Sequence, residues 1–106
     1  MGEAEEQYLS VTTGADGAVV VSGEVDLYTA PLLERAVESA IERGDGNLVI
    51  DLGAVRFMDS AGLNILIRAF KPLDAQGRRV VLRSPQESVR RTLELGGIVT
   101  LVDLES

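Results

Sequence analysis

The sequence predicts an α/β fold: one domain with an N-terminal hairpin followed by a mainly parallel (βα)n sheet packed with helices. Three observations lead there. The chain has 106 residues, one domain's length, and at that size folding buries about 65% of the unfolded surface, enough for one core. Short apolar runs alternate with segments of helical period along the whole sequence. Strands alternating with helices imply a largely parallel sheet with right-handed crossovers. No internal repeat or linker interrupts the pattern, so residues 1–106 read as a single domain. Met1 to Glu6 reads as an acidic tail that frays.

Gln7 to Thr13 alternates, with Leu9 and Val11 on one face, and Ala18 to Ser22 is a valine-rich strand. Gly14-Ala15-Asp16-Gly17 between them supplies turn chemistry, so the pair reads as a hairpin. Thr29 is placed to cap a helix running to about Arg43, with Leu33, Ala36, Val37, Ala40 and Ile41 at helical spacing. Glu34, Glu38 and Glu42 line another face and read as solvated. Leu48-Val49-Ile50 is an unbroken apolar run, as expected of a strand covered on both faces.

A short connection from Gly53 to Met58 follows, and Asp59 then caps a helix from Ser60 to about Ala75. Its polar stripe is Asn64, Arg68 and Lys71, so most of its surface should be buried. Pro72 removes a backbone donor and crowds the carbonyl of Arg68, which predicts a kink or an early end near Phe70. Arg79 to Arg83 is another strand. Ser84 and Glu87 fit a capping box, with Pro85 at the first helical position, for a helix ending at Gly96-Gly97. Ile98 to Leu104 reads as the last strand.

Composition narrows the chemistry. There is no cysteine and no histidine, which removes disulfides, thiolate and histidine metal ligands, and any Ser-His-Asp triad. Lys and Arg total 10 against 17 Asp and Glu, a net charge of −7, which disfavours nucleic acid as a partner. No apolar run approaches the roughly 20 residues of a membrane span. Glu3, Glu5 and Glu6 are the reverse of a basic signal-peptide start. The expectation is a soluble cytoplasmic domain with no membrane association and no cofactor.

In a parallel sheet functional loops gather at the carboxyl ends of the strands. If the strand ending near Gly23 neighbours the one ending near Leu52, Asp26 and Ser60 share one rim. Ser60 sits at a helix start, near free N–H groups and the positive end of the helix dipole. Gly62 leaves the surface beside it uncovered, at a propensity cost of about 1 kcal/mol. Asp59-Ser60 is either a simple cap or a site that something approaches closely. Ser60-Ala61-Gly62 is half of a hydrolase elbow, but no histidine is available as base, and Lys71 lies about 16 Å along the same helix. Asp26, Asp51 and Asp59 could form a magnesium-binding rim, but no cation stands at the end of the last strand to complete it.

Four segments carry a family resemblance: Ser22-Gly23-Glu24-Val25-Asp26, Tyr28-Thr29-Ala30-Pro31, Leu48-Val49-Ile50-Asp51-Leu52, and Phe57-Met58-Asp59-Ser60-Ala61-Gly62-Leu63. With them the chain resembles the bacterial STAS domains, and more narrowly the anti-sigma factor antagonists, from about Leu9 to Asp103. The resemblance implies a binding module and not an enzyme. It implies that Ser60 is phosphorylated by an anti-sigma factor that is itself a serine kinase, and that Asp26 supports phosphorylation and partner contact. It also implies that the unphosphorylated form binds the anti-sigma factor and frees its sigma factor, and that a PP2C-type phosphatase restores it. Val25, Asp26, Met58, Asp59, Ser60, Gly62 and Leu63 would form the partner-binding surface. Ala61 stands where many relatives carry a second hydroxyl residue, so only Ser60 can be modified there. The chain ends at Ser106, soon after the last strand, where relatives often add a closing helix. STAS domains also serve as structural subunits of stress-sensing assemblies and as accessory subunits of transporters, which is the alternative reading.

Overall fold

The computed structural model describes residues 8–106, and the expected acidic tail, Met1 to Glu6, lies outside them. Strand β1 (Leu9–Thr13) turns back into β2 (Val19–Val25). Helix α1 (Ala30–Arg43), β3 (Leu48–Met58), α2 (Ser60–Ala75), β4 (Val80–Arg83), α3 (Glu87–Leu95) and β5 (Asp103–Glu105) complete the chain. The sheet order is β1-β2-β3-β4-β5. The β1–β2 pair is antiparallel and every later pair is parallel, as the alternation predicts.

Because the parallel strands are laid down in sequence order, right-handed crossovers place α1, α2 and α3 on one face of the sheet. Burial agrees. Val19, Val21 and Val25, then Leu48, Ile50 and Leu52, then Val80 and Leu82 point into the core with Leu33, Val37, Leu66, Leu73 and Leu93. Val20, Val49 and Val81 face the other way and stay partly exposed. The apolar run at Leu48 is therefore covered on one face, not both.

That open face carries paired charges. The Arg79 guanidinium donates to both carboxylate oxygens of Asp103, at 3.1 and 2.6 Å. Arg83 bridges Glu105 and Asp16, each at 3.0 Å. The Ala18 N–H, and then Arg83, hold the Asp16 carboxyl below its usual value, and Arg79 does the same for Asp103. The stability these bonds add is present above the ordinary carboxylate range and is lost as pH falls from there through the lowered values of Asp16 and Asp103. All are solvent-screened, so the effect is small.

Four local expectations change. Gly53 to Met58 is strand, not connection, because β3 runs unbroken to Met58. Its pairing with β2 slips twice, three residues of β3 facing two of β2 near Ser22 and again two facing one near Glu24. These bulges break the inward alternation after Leu52, which is why the segment reads as irregular. Helix α2 continues through Pro72 to Ala75. Pro72 is exposed, while the fully buried Leu73 anchors the last turn. The α3 start lies at Glu87 with Gln86 before it, not at Pro85 with Ser84 as cap. Ser84 has φ +57 and its N–H bonds the Glu105 carbonyl in the sheet, so it cannot take the extended capping conformation. Finally, Ile98–Thr100 is a 3₁₀ turn, and only Asp103–Glu105 is strand.

Candidate functional site on the β2–β3 rim

Neighbouring parallel strands β2 and β3 end side by side, with Val25 opposite Met58. Their following loops are tied together by a bond from the Asp59 N–H to the Val25 carbonyl, 3.1 Å. The sequence-predicted residues Asp26, Asp59 and Ser60 therefore share one rim.

The β2–α1 turn is held by its own polar side chains. Asp26 Oδ1 accepts from the N–H groups of Tyr28 and Thr29, both at 3.0 Å. The Thr29 hydroxyl accepts from the Asp26 N–H and donates to the Glu24 carbonyl, both at 2.9 Å. Thr29 precedes α1 as expected but makes no capping bond to the helix. Its backbone is helical rather than extended, and its hydroxyl is already committed to the turn.

At the other loop Asp59 caps α2 as predicted, accepting from the Ala61 N–H at 2.9 Å. The N–H groups of Gly62 and Leu63 bond the Asp59 carbonyl. Ser60 is exposed at the first helical position. Most first-turn donors beside it are thus already used.

Three residues expected at the partner surface are interior. Val25 is fully buried, Met58 is 3% exposed, and Gly62 is buried. A Cβ on Gly62 would lie 2.6 Å from Met58 Cγ and 2.9 Å from Val25 Cγ1. Gly62 is there because α2 rests directly on the strand ends, not to leave an open surface. Leu63 is half-buried against the core. Asp51 is not on the rim, because β3 continues to Met58. Among the described residues no group of three or more His, Cys, Asp or Glu is placed to hold a metal ion.

The rim carries apolar residues that sequence reasoning missed. Leu27 and Tyr28 are 79% and 93% exposed, and Phe57, at the end of β3, is 49% exposed. The signal was present: two large apolar residues in a loop with no period to bury them. Around them stand Asp26, Asp59 and the Glu24–Arg56 pair, 3.6 Å apart. No helix among the described residues is long and apolar enough to cross a membrane.

A family model described as the STAS domain matches residues 9–106. An anti-sigma-B factor antagonist from Listeria monocytogenes is 33% identical over 88 residues, spanning 83% of this chain and 77% of that protein. One from Bacillus subtilis is 32% identical over 91 residues, spanning 86% and 83%. The crystal structure of an anti-sigma factor antagonist from Mycobacterium paratuberculosis is similar with a TM-score of 0.74 and 36% identity, covering 92% of this chain and 83% of that one.

Proposed function

This chain belongs to the STAS-domain family of anti-sigma factor antagonists, and we propose that it works by partner switching through the β2–β3 rim. In its unphosphorylated form it binds an anti-sigma factor with serine kinase activity, which then releases its sigma factor. Phosphorylation of Ser60 by that partner ends the complex, and a PP2C-type phosphatase restores it. The observation that carries this reading is an exposed hydroxyl, Ser60, on the same rim as the exposed apolar side chains of Leu27, Tyr28 and Phe57. The contact surface comprises those residues with Asp26, Asp59, Ser60 and Leu63, while Val25, Met58 and Gly62 support it from beneath.

The switch follows from charge. A phosphate on Ser60 adds about −1.5 to −2 charge. The helix dipole offsets it by roughly 0.3–1 kcal/mol, and Asp59 and Asp26 oppose it. The Ala61, Gly62 and Leu63 N–H groups are already engaged, so the phosphate remains in water and the fold is undisturbed. Docking would strip that water from an unpaired dianion, at a cost of several kcal/mol. At about 1.4 kcal/mol per tenfold, the complex dissociates.

Ser60→Asp is therefore expected to bind the anti-sigma factor at least tenfold more weakly, whereas Ser60→Ala binds like wild type and accepts no phosphate. Pull-downs from native lysate with the two baits, followed by titration of the captured kinase, test this. Equal affinity of wild type and Ser60→Asp would sink the mechanism. Asp26→Asn keeps an oxygen for the Tyr28 and Thr29 N–H groups but loses the charge. It should slow phosphorylation of Ser60 while leaving the melting temperature unchanged. An unaltered phosphorylation rate would remove Asp26 from its role.

A further inference from the structure

We propose that two copies of this chain associate through their β1 strands, joining two five-stranded sheets into one of ten. The two edges of the sheet differ. β5 is three residues long and carries Asp103 and Glu105, the charged, short form that discourages edge pairing. β1 is five residues, Leu-Ser-Val-Thr-Thr, without charge or proline. It pairs with β2 in continuous register with no bulge, so its free edge is flat. Among the described residues no further strand pairs with β1, and the strand itself contains none of the devices that protect an edge.

The sequence of β1 matches itself. In an antiparallel pair centred on Val11, Ser10 of one copy faces Thr12 of the other on the open side of the sheet. Val11 faces Val11, and Leu9 faces Thr13, on the helix side. Hydroxyl pairs and β-branched pairs are favourable opposite neighbours, and no like charges meet.

The helix layer fits the same arrangement. α1 lies over both β1 and β2. Strands about 4.8 Å apart would bring the two α1 axes to about 10 Å, the ordinary helix-packing distance. The side of α1 facing α2 is marked by Glu34, which bonds Arg68 at 2.8 Å. The opposite side carries Leu32, Ala36, Ser39 and Arg43 at helical spacing. Leu32, 39% exposed, would be covered by this seam. Ala36 and Ser39 are small enough at its centre to admit a second helix. The acidic ridge Glu34-Glu38-Glu42 turns away from it, and the two Arg43 side chains fall at opposite ends. In a chain of net charge −7, the β1 strand and the Leu32, Ala36, Ser39 and Arg43 side of α1 carry no acidic side chain.

Sedimentation velocity of the full chain over a micromolar-to-millimolar series tests the proposal. Ser10 and Thr12 are exposed, so substitutions there leave the core intact, which circular dichroism checks. Ser10→Glu with Thr12→Glu sets acid against acid twice across the dyad and is expected to raise the dimer Kd at least about tenfold. Ser10→Lys with Thr12→Glu sets opposite charges together and restores association. A wild-type chain that stays monomeric throughout overturns the proposal. So does a dimer that the double glutamate variant leaves unchanged, or one that both double variants weaken alike.

Discussion

Gly23→Ala is expected to lower the stability by about 3–5 kcal/mol, with a fall in Tm of at least about 12 °C. Gly23 sits at φ +114, in the left-handed region. A Cβ there would overlap the Tyr8 carbonyl oxygen, and it would lie 2.9 Å from the Tyr8 carbonyl carbon and 3.2 Å from Leu9 Cα. These are backbone atoms and cannot rotate aside. Gly23 also pairs with Leu9 on one side and Val55 on the other, so any shift is felt in three strands. Gly17→Ala separates the two contributions. Gly17 has φ +86 but open space around its Cβ position, so only the conformational cost of roughly 1–2 kcal/mol applies. Urea denaturation of both variants measures the difference. A loss below about 1 kcal/mol at position 23 would mean that the strands yield where this packing says they cannot.

The second large effect is on binding. Replacing Leu27 and Tyr28 together by alanine is expected to weaken the complex with the anti-sigma factor on the order of 30-fold, the scale of a buried aromatic anchor. The melting temperature should hardly move, because neither side chain contributes to the core. The Asp26 and Thr29 bonds keep the turn in one conformation before any partner arrives, so little ordering cost is left for docking. Calorimetric titration with the purified partner measures the loss. An unchanged Kd would take the apolar rim out of the interface and leave the polar groups alone to carry it.

Which parts of this molecule are readable from sequence follows from periodicity. α1 and α2 are legible because Leu33-Val37 and Ile65-Leu66-Ala69-Leu73 repeat at helical spacing, and α1 ends at Arg43 as expected, while α2 runs on to Ala75 past the early end that Pro72 suggests near Phe70. Asp59 is legible as a cap because it stands directly before the helical run that opens at Ser60. The distal half of β3 was not, since its bulges place Val55 and Met58 inward at spacings that match neither strand nor helix. Ser84 carried every mark of a cap, yet the sheet claims its N–H. At the rim, sequence brought Asp26 and Ser60 together through topology but could not separate floor from surface. Val25 adjoins Asp26 and Met58 lies close to Ser60 along the chain, but β2 alternation turns Val25 inward and the β3 bulges turn Met58 inward. Leu27 and Tyr28 carry a legible signal, two large apolar residues outside any periodic segment, but only the fold shows that both are exposed on the same rim as Ser60.

The sheet order that repeats the sequence order also shapes how this chain acquires its structure. Each new strand finds its pairing neighbour already made by the segment just before it. No strand has to wait for one synthesised much later, so every closure spans a single strand-helix unit and its entropy cost stays low. Short sequence separations between paired strands favour fast folding, so the rim between β2 and β3 is built from neighbours in the chain rather than from distant segments.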